Sequence, residues 1–433
     1  MTDLPAGGAG DDDWHAPLFA ELQKLMSSSN GPVNWDLARQ LAVSQIGAAD
    51  APVTAEDRSQ ITDALRLADT WLDPHATFPS GVRQTSAWRR LDWVEKTLPT
   101  WATLANPLAE RVVASMNGML GSSLELPEEA RAQLGPLTGM MQQAGGLMFG
   151  AQVGQGVAQL AGEVLSSTEV GLPLGPEGEA ALLPANITAF GQDLDQPTDE
   201  VRLFLALREV AHHRLFGHVP WLRGHLAAAV SAYADGISID GSALRQAMTQ
   251  VDPGNPDSLS EALSGGMFTP EDTPQQRAAL ARLETMLALV EGWVDDVVTA
   301  AATALPGASA LGETLRRRRA SGGPAEQTFA TLVGLELRPR RLREAAALWS
   351  AVRQARGIEG RDALWEHPDL LPVADDLANP EAYAERAQLV FTVPDDLSEL
   401  LGDSPDPPAD ADGPDPEPDP EPDHGPADGP RTS

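Results

Sequence analysis

The 433-residue chain contains no cysteine. Disulfides, thiolate metal sites and cysteine nucleophiles are therefore excluded. Basic charge is scarce as well. Thirty Lys and Arg stand against 63 Asp and Glu, a formal net charge of -33. A surface of that sign repels phosphate, so neither nucleic acid nor an anionic membrane is expected as a partner. Residues 1–13 hold no apolar signal core and include Asp11, Asp12 and Asp13. A soluble, cytoplasmic protein is the resulting expectation. No internal repeat of solenoid length is evident. Histidine is also sparse, with eight in all.

What the chain has is apolar residues in helical spacing. Hydrophobic residues make up 42%, enough for a sizeable core or two to three domains. The pattern predicts a mainly α protein with at most a small β element. Residues 1–13 are expected to be disordered. Residues 14–197 read as an N-terminal helical region, and residues 198–400 as a second helical region carrying the candidate site. Residues 401–433 are rich in Pro, Asp and Glu, too polar to bury a core, and read as a disordered acidic tail.

Local signals place several elements. An amphipathic helix is expected over residues 14–26. Asn34 is a candidate N-cap. Thr54-Ala55-Glu56-Asp57 resembles a capping box, opening a helix that carries Ile61, Leu65, Leu67 and Leu72. Trp88, Trp93 and Trp101 fit core packing better than a pocket. Gly146, Gly150, Gly154, Ala158 and Gly162 recur every four residues. Because Gly in a helix costs up to ~1 kcal/mol against Ala, such a stripe suggests close approach of another helix. A membrane hairpin would use the same stripe. Gln142, Gln143, Gln152, Gln155, Gln159 and Glu163 interrupt the apolar run that it would need. Residues 169–197 read as loop, with a short strand over 186–190. A further helix is expected from Thr198, broken at Pro220. Residues 252–272 read as turns. Thr273, Pro274 and Gln276 form a strong start signal for a helix running to about Leu305. The basic run 316–319 fits a solvated face or ion-pair partners.

Three histidines, His212, His213 and His218, cluster around Arg208-Glu209-Val210-Ala211-His212. A zinc-peptidase helix needs H-E-x-x-H: two His one turn apart hold the metal, and the Glu activates water. Here the Glu and second His are present, and Arg208 stands at the first His. The longer motif H-E-x-x-H-x-x-G-x-x-H overlays His218, with Leu215 in place of its Gly. Glu291 falls on the apolar face of the helix opened at Thr273, between Leu287 and Val294. A carboxylate there must be paired, protonated or bound to metal. Asp295, one turn on, is placed to orient a ligand. The plain structural alternative is that Glu209 and Glu291 pair with Arg208, Arg214 or Arg282 and that the histidines are satisfied core residues.

The run from Glu209 to Leu222, with Leu289-Val290-Glu291-Gly292-Trp293-Val294-Asp295 and Gly31-Pro32-Val33-Asn34-Trp35, resembles the bacterial zincin-like metallopeptidase family. Members carry labels such as zinc-dependent metalloprotease or hydrolase, and some are linked to deazaflavin-coenzyme biosynthesis. The resemblance covers most of residues 14–375. It implies a zincin-like fold, zinc as cofactor and peptide or protein substrates. It also implies Glu209 as general base, His212 as ligand and Glu291 as third ligand. Arg208 occupies the place of the family's other metal-binding His, and Arg cannot ligate zinc. His213 or His218 would have to substitute. Trp293 departs from relatives with His after the Glu-Gly pair. Two readings follow. One is a zinc metallohydrolase using metal-activated water. The other is a metal-free zincin scaffold that binds or regulates, with Arg208 paired to Glu209 or Glu291.

Overall fold

The computed structural model describes residues 31–47, 50–123, 128–168, 171–236, 273–320 and 341–390. The expected helix over 14–26, the acidic termini and the turns of 252–272 lie outside the described residues. Short polar side chains start the first helices. Asn34 accepts from the Leu37 N–H and opens α1 (Trp35–Ile46). Thr54 and Asp57 close a capping box that opens α2 (Ala55–Leu72). Ile61, Leu65 and Leu72 of α2 are buried, but Leu67 points outward and is 44% exposed. Then come β1 (Gln84–Ala87), α3 (Arg90–Ser123) and α4 (Glu128–Glu163). Trp88, Trp93 and Trp101 all lie in the core.

The small-residue stripe on α4 receives α1. A Cβ on Gly150 would lie 2.5 Å from the Asn34 carbonyl oxygen, and one on Gly154 2.6 Å from that of Ala38. At Gly162 a Cβ would meet nothing within 4 Å. Contact with α1 thus uses the middle of the stripe and leaves its end unused. Among the described residues, no helix is long and apolar enough to cross a membrane. Gly150→Val is expected to destabilise the protein by about 1–3 kcal/mol through overpacking. Gly162→Ala is expected to be neutral or to stabilise by up to about 1 kcal/mol. Thermal melts of the two variants check this, and equal effects would refute the packing assignment.

Strand β2 (Glu179–Leu182) pairs in parallel with β1, Gln84 opposite Glu179. Residues 186–190, expected as a strand, lie in helix α5 (Pro184–Gly191). Pro184 supplies the preset φ of a first helical position, and Asn186 bonds the carbonyls of Ala161 and Val164. Helix α6 (Thr198–His218) begins after Pro197 with no side-chain cap. It breaks at Val219, before α7 (Pro220–Asp235). A second capping box, Thr273 with Gln276, opens α8 (Pro274–Ala301). Three residues of 3-10 helix follow α8, so the α-helix stops short of Leu305. The later described α-helices are α9 (Ala308–Ala320), α10 (Leu342–Asp362) and α11 (Pro380–Val390).

The architecture is mainly α with a two-stranded sheet. The described residues up to Leu389 share a continuous hydrophobic core. Helices α6 and α8 lie within it and pack on each other. α6 also packs on α2, β2 and α9, and α8 on α7 and α10. The predicted apolar stripe of α8 widens with this enclosure, and residues 286–298 are buried on every face. A Cβ on Gly292 would lie 2.7 Å from Ala345 of α10, so the glycine permits that approach.

Candidate functional site

Nearly every residue of α6 from Val201 to Phe216 is buried, including Arg208, Glu209, His212, His213 and Arg214. Polar groups in such a helix must find partners or destabilise it. Apart from Arg214, they form two separate networks. Arg208 and His212 are one i,i+4 pair, and Glu209 and His213 are another, offset by one residue. On a 3.6-residue turn the pairs occupy neighbouring faces. Glu209 and His212, three residues apart, therefore meet different partners.

Glu209 is wholly buried. Its Oε1 accepts from Ser167 Oγ at 2.5 Å, the Ala181 N–H at 3.0 Å and His213 Nε2 at 3.2 Å. Its Oε2 accepts from Thr168 Oγ1 at 2.5 Å and the Thr168 N–H at 3.2 Å. Burial pushes its pKa up. The hydrogen bond and charge of His213, then the two hydroxyls, outweigh burial and bring it down to about 2. A carboxylate so fully engaged is a poor proton acceptor at neutral pH. Its evident work is to tie α6 to β2 and to the segment before it.

Glu291 of α8 is the centre of the second network. Its Oε2 accepts from Arg208 Nη2 at 2.6 Å. Its Oε1 lies 2.6 Å from Arg319 Nη1 and 3.0 Å from His212 Nε2. His212 Nδ1 donates to the Arg208 carbonyl at 2.8 Å. Burial raises the Glu291 pKa, but Arg319, His212 and Arg208 together hold it well below the usual carboxylate range. Arg208 Nη1 lies 3.7 Å from Asp295, and Asp295 accepts from Arg316 at 3.0 Å. Gly171 closes over the carboxylate at φ +72°, and a Cβ there would lie 2.8 Å from Glu291 Oε1.

The remaining candidates point elsewhere. His218 bonds the Arg214 carbonyl and stacks on Phe78. Arg214 pairs with Asp69 and Asp73 rather than with either glutamate. Arg282 bonds the Ala278 carbonyl of its own helix. Trp293 donates to Asp362.

A protein zinc site of the catalytic type needs three ligands and an open position. His212 and Glu291 converge, but His213 is engaged by Glu209. Two guanidinium groups sit 2.6 Å from the two oxygens of Glu291, where they repel a cation. Among the described residues, no group of three His, Asp or Glu is placed to hold a metal ion. In this arrangement the donor set does not fit zinc.

Sequence reasoning missed Ser167, Thr168 and Arg319. The two hydroxyls carried no signal of their own, since they lie about 40 residues before Glu209. Arg319 lay in the noted basic run, where ion pairing was expected. Its actual partner is the buried Glu291.

The family model for zincin-like metallopeptidases matches residues 33–384. A crystal structure from Chloroflexus aurantiacus, described as a "putative hydrolase with a novel fold", has a similar fold with a TM-score of 0.58. It is 22% identical, and the match covers 82% of this chain and 99% of that one. No curated protein matches the chain. With a match running from the turn before α1 into α11, the chain belongs to the zincin-like metallopeptidase family.

Proposed function

We propose that this chain is a metal-free zincin that binds a peptide or protein segment. The carrying observation is Arg208. It stands one helical turn before His212, where the zinc motif has its first His, and its guanidinium bridges towards Glu291 and Asp295. A guanidinium cannot leave those carboxylates without stranding them in a low-dielectric core, so it supplies the positive charge there. Family membership supports a peptide or protein as the ligand. The complete engagement of Glu209 also fits a binding role better than a proton-transfer role.

A second reading is a zinc metallohydrolase with His212 and Glu291 as ligands and Glu209 as general base. The family match favours it, as does the His212 Nδ1 bond to a backbone carbonyl, the support a ligating His usually has. It requires Arg208 and Arg319 to leave Glu291, and Glu209 to be released from five donors.

Metal analysis after reconstitution with zinc separates the two. The expected result is far less than one zinc per chain, unchanged by His212→Ala. About one zinc per chain, lost in both His212→Ala and Glu291→Ala, would overturn the proposal and support the hydrolase.

A further inference from the structure

In a chain of net charge -33, arginines have many carboxylates to choose from. Arg223, in the first turn of α7, pairs with none among the described residues. Its Nη1 donates to the Pro173 carbonyl at 3.3 Å, and its guanidinium lies over the Phe216 ring at 5.7 Å. Its Nε is buried without a hydrogen-bond partner. The acid that acts on it, Glu177, is largely exposed and engaged by Arg83. Half-burying a guanidinium without an anion costs free energy, and such unsatisfied groups call for an explanation. In keeping with that cost, burial lowers the Arg223 pKa.

Both contacts of Arg223 lead to the Glu291 network. Phe216 stacks on His212, with centroids 6.3 Å apart and planes within 10°. Pro173 follows two residues after Gly171, which closes over Glu291. Arg223 therefore stands one ring away from His212 and is bonded to the segment that covers Glu291. A planar guanidinium with free N–H groups matches a carboxylate in charge and in fork geometry.

We propose that Arg223 recognises a carboxylate carried by the peptide ligand, beside the His212–Glu291 network. This rests on the peptide-binding reading. The ligand group is a terminal or side-chain carboxylate, and Phe216 offers its apolar neighbour a surface.

The test titrates the full chain with N-acetyl-dialanine as free acid and as amide. The acid is expected to bind about tenfold more tightly, the scale of one charge-assisted contact. Arg223→Leu keeps an apolar side chain on Phe216 and should erase the preference, whereas Arg223→Lys should retain part of it. Thermal melts check that both variants fold. Equal binding of acid and amide by the wild type, binding of neither, or a preference that persists in Arg223→Leu would each overturn the proposal. Equal binding leaves the peptide-binding reading intact. Stoichiometric zinc defeats that reading whatever the acid-to-amide ratio.

Discussion

Glu209→Ala is expected to lower stability by about 3–5 kcal/mol, enough to leave a marginal domain largely unfolded at 37 °C. The substitution removes the acceptor of the Ser167 and Thr168 hydroxyls, the N–H groups of Thr168 and Ala181, and His213, all in the core. It also frees β2 from α6. Glu209→Gln should be milder, since the amide oxygen still accepts, but its NH2 then faces donors. Urea denaturation of the three proteins measures the differences. Wild-type stability in Glu209→Ala would remove the structural role assigned to the carboxylate.

The same network predicts an acid transition. The Glu209 pKa is depressed from 4.5 to about 2, so its ionised form favours the folded state. That contribution is complete above the unfolded value and is lost as pH falls through about 4.5 towards 2. By linkage it amounts to about 3 kcal/mol. Glu209→Gln should flatten this part of the stability-versus-pH curve.

The second large effect is expected from Glu291→Ala. The variant takes from Arg208 and Arg319 the buried carboxylate that both contact. Breaking one partner out of such a pair typically costs about 3–5 kcal/mol. Arg208→Met in the same chain should recover part of the loss, because it removes one stranded charge and keeps apolar volume. A double-mutant cycle reads the coupling, expected at about 1–3 kcal/mol. If Arg208 and Glu291 prove energetically independent, the guanidinium does not hold the centre, and the metal-free proposal loses its basis.

Local features were legible without a structure. Asn34, Thr54 and Thr273 cap their helices where they were expected to. Each cap closes within one turn, so its partners are sequence neighbours. The burial of Glu291 followed from helical periodicity, and α6 gives way to α7 at Pro220, where the break was expected. Residues 186–190 misled because a short apolar run has no distinctive period, and the preceding proline started a helix.

The long-range part was not legible. Glu209, His212 and His213 are close in sequence, yet their roles depend on what the fold sets opposite each face of α6. Apart from His213, the partners of Glu209 come from residues 28 to 42 positions earlier. Those of Glu291 come from α6 and from α9. Composition alone determined that cysteine chemistry is absent and that the surface is acidic, and motif spacing determined which helix carries the candidate site. Only the tertiary structure decided that Glu209 meets hydroxyls and that Glu291 meets two guanidinium groups. A buried carboxylate takes its chemistry from the charges and donors packed around it, and packing brings those from distant parts of the chain.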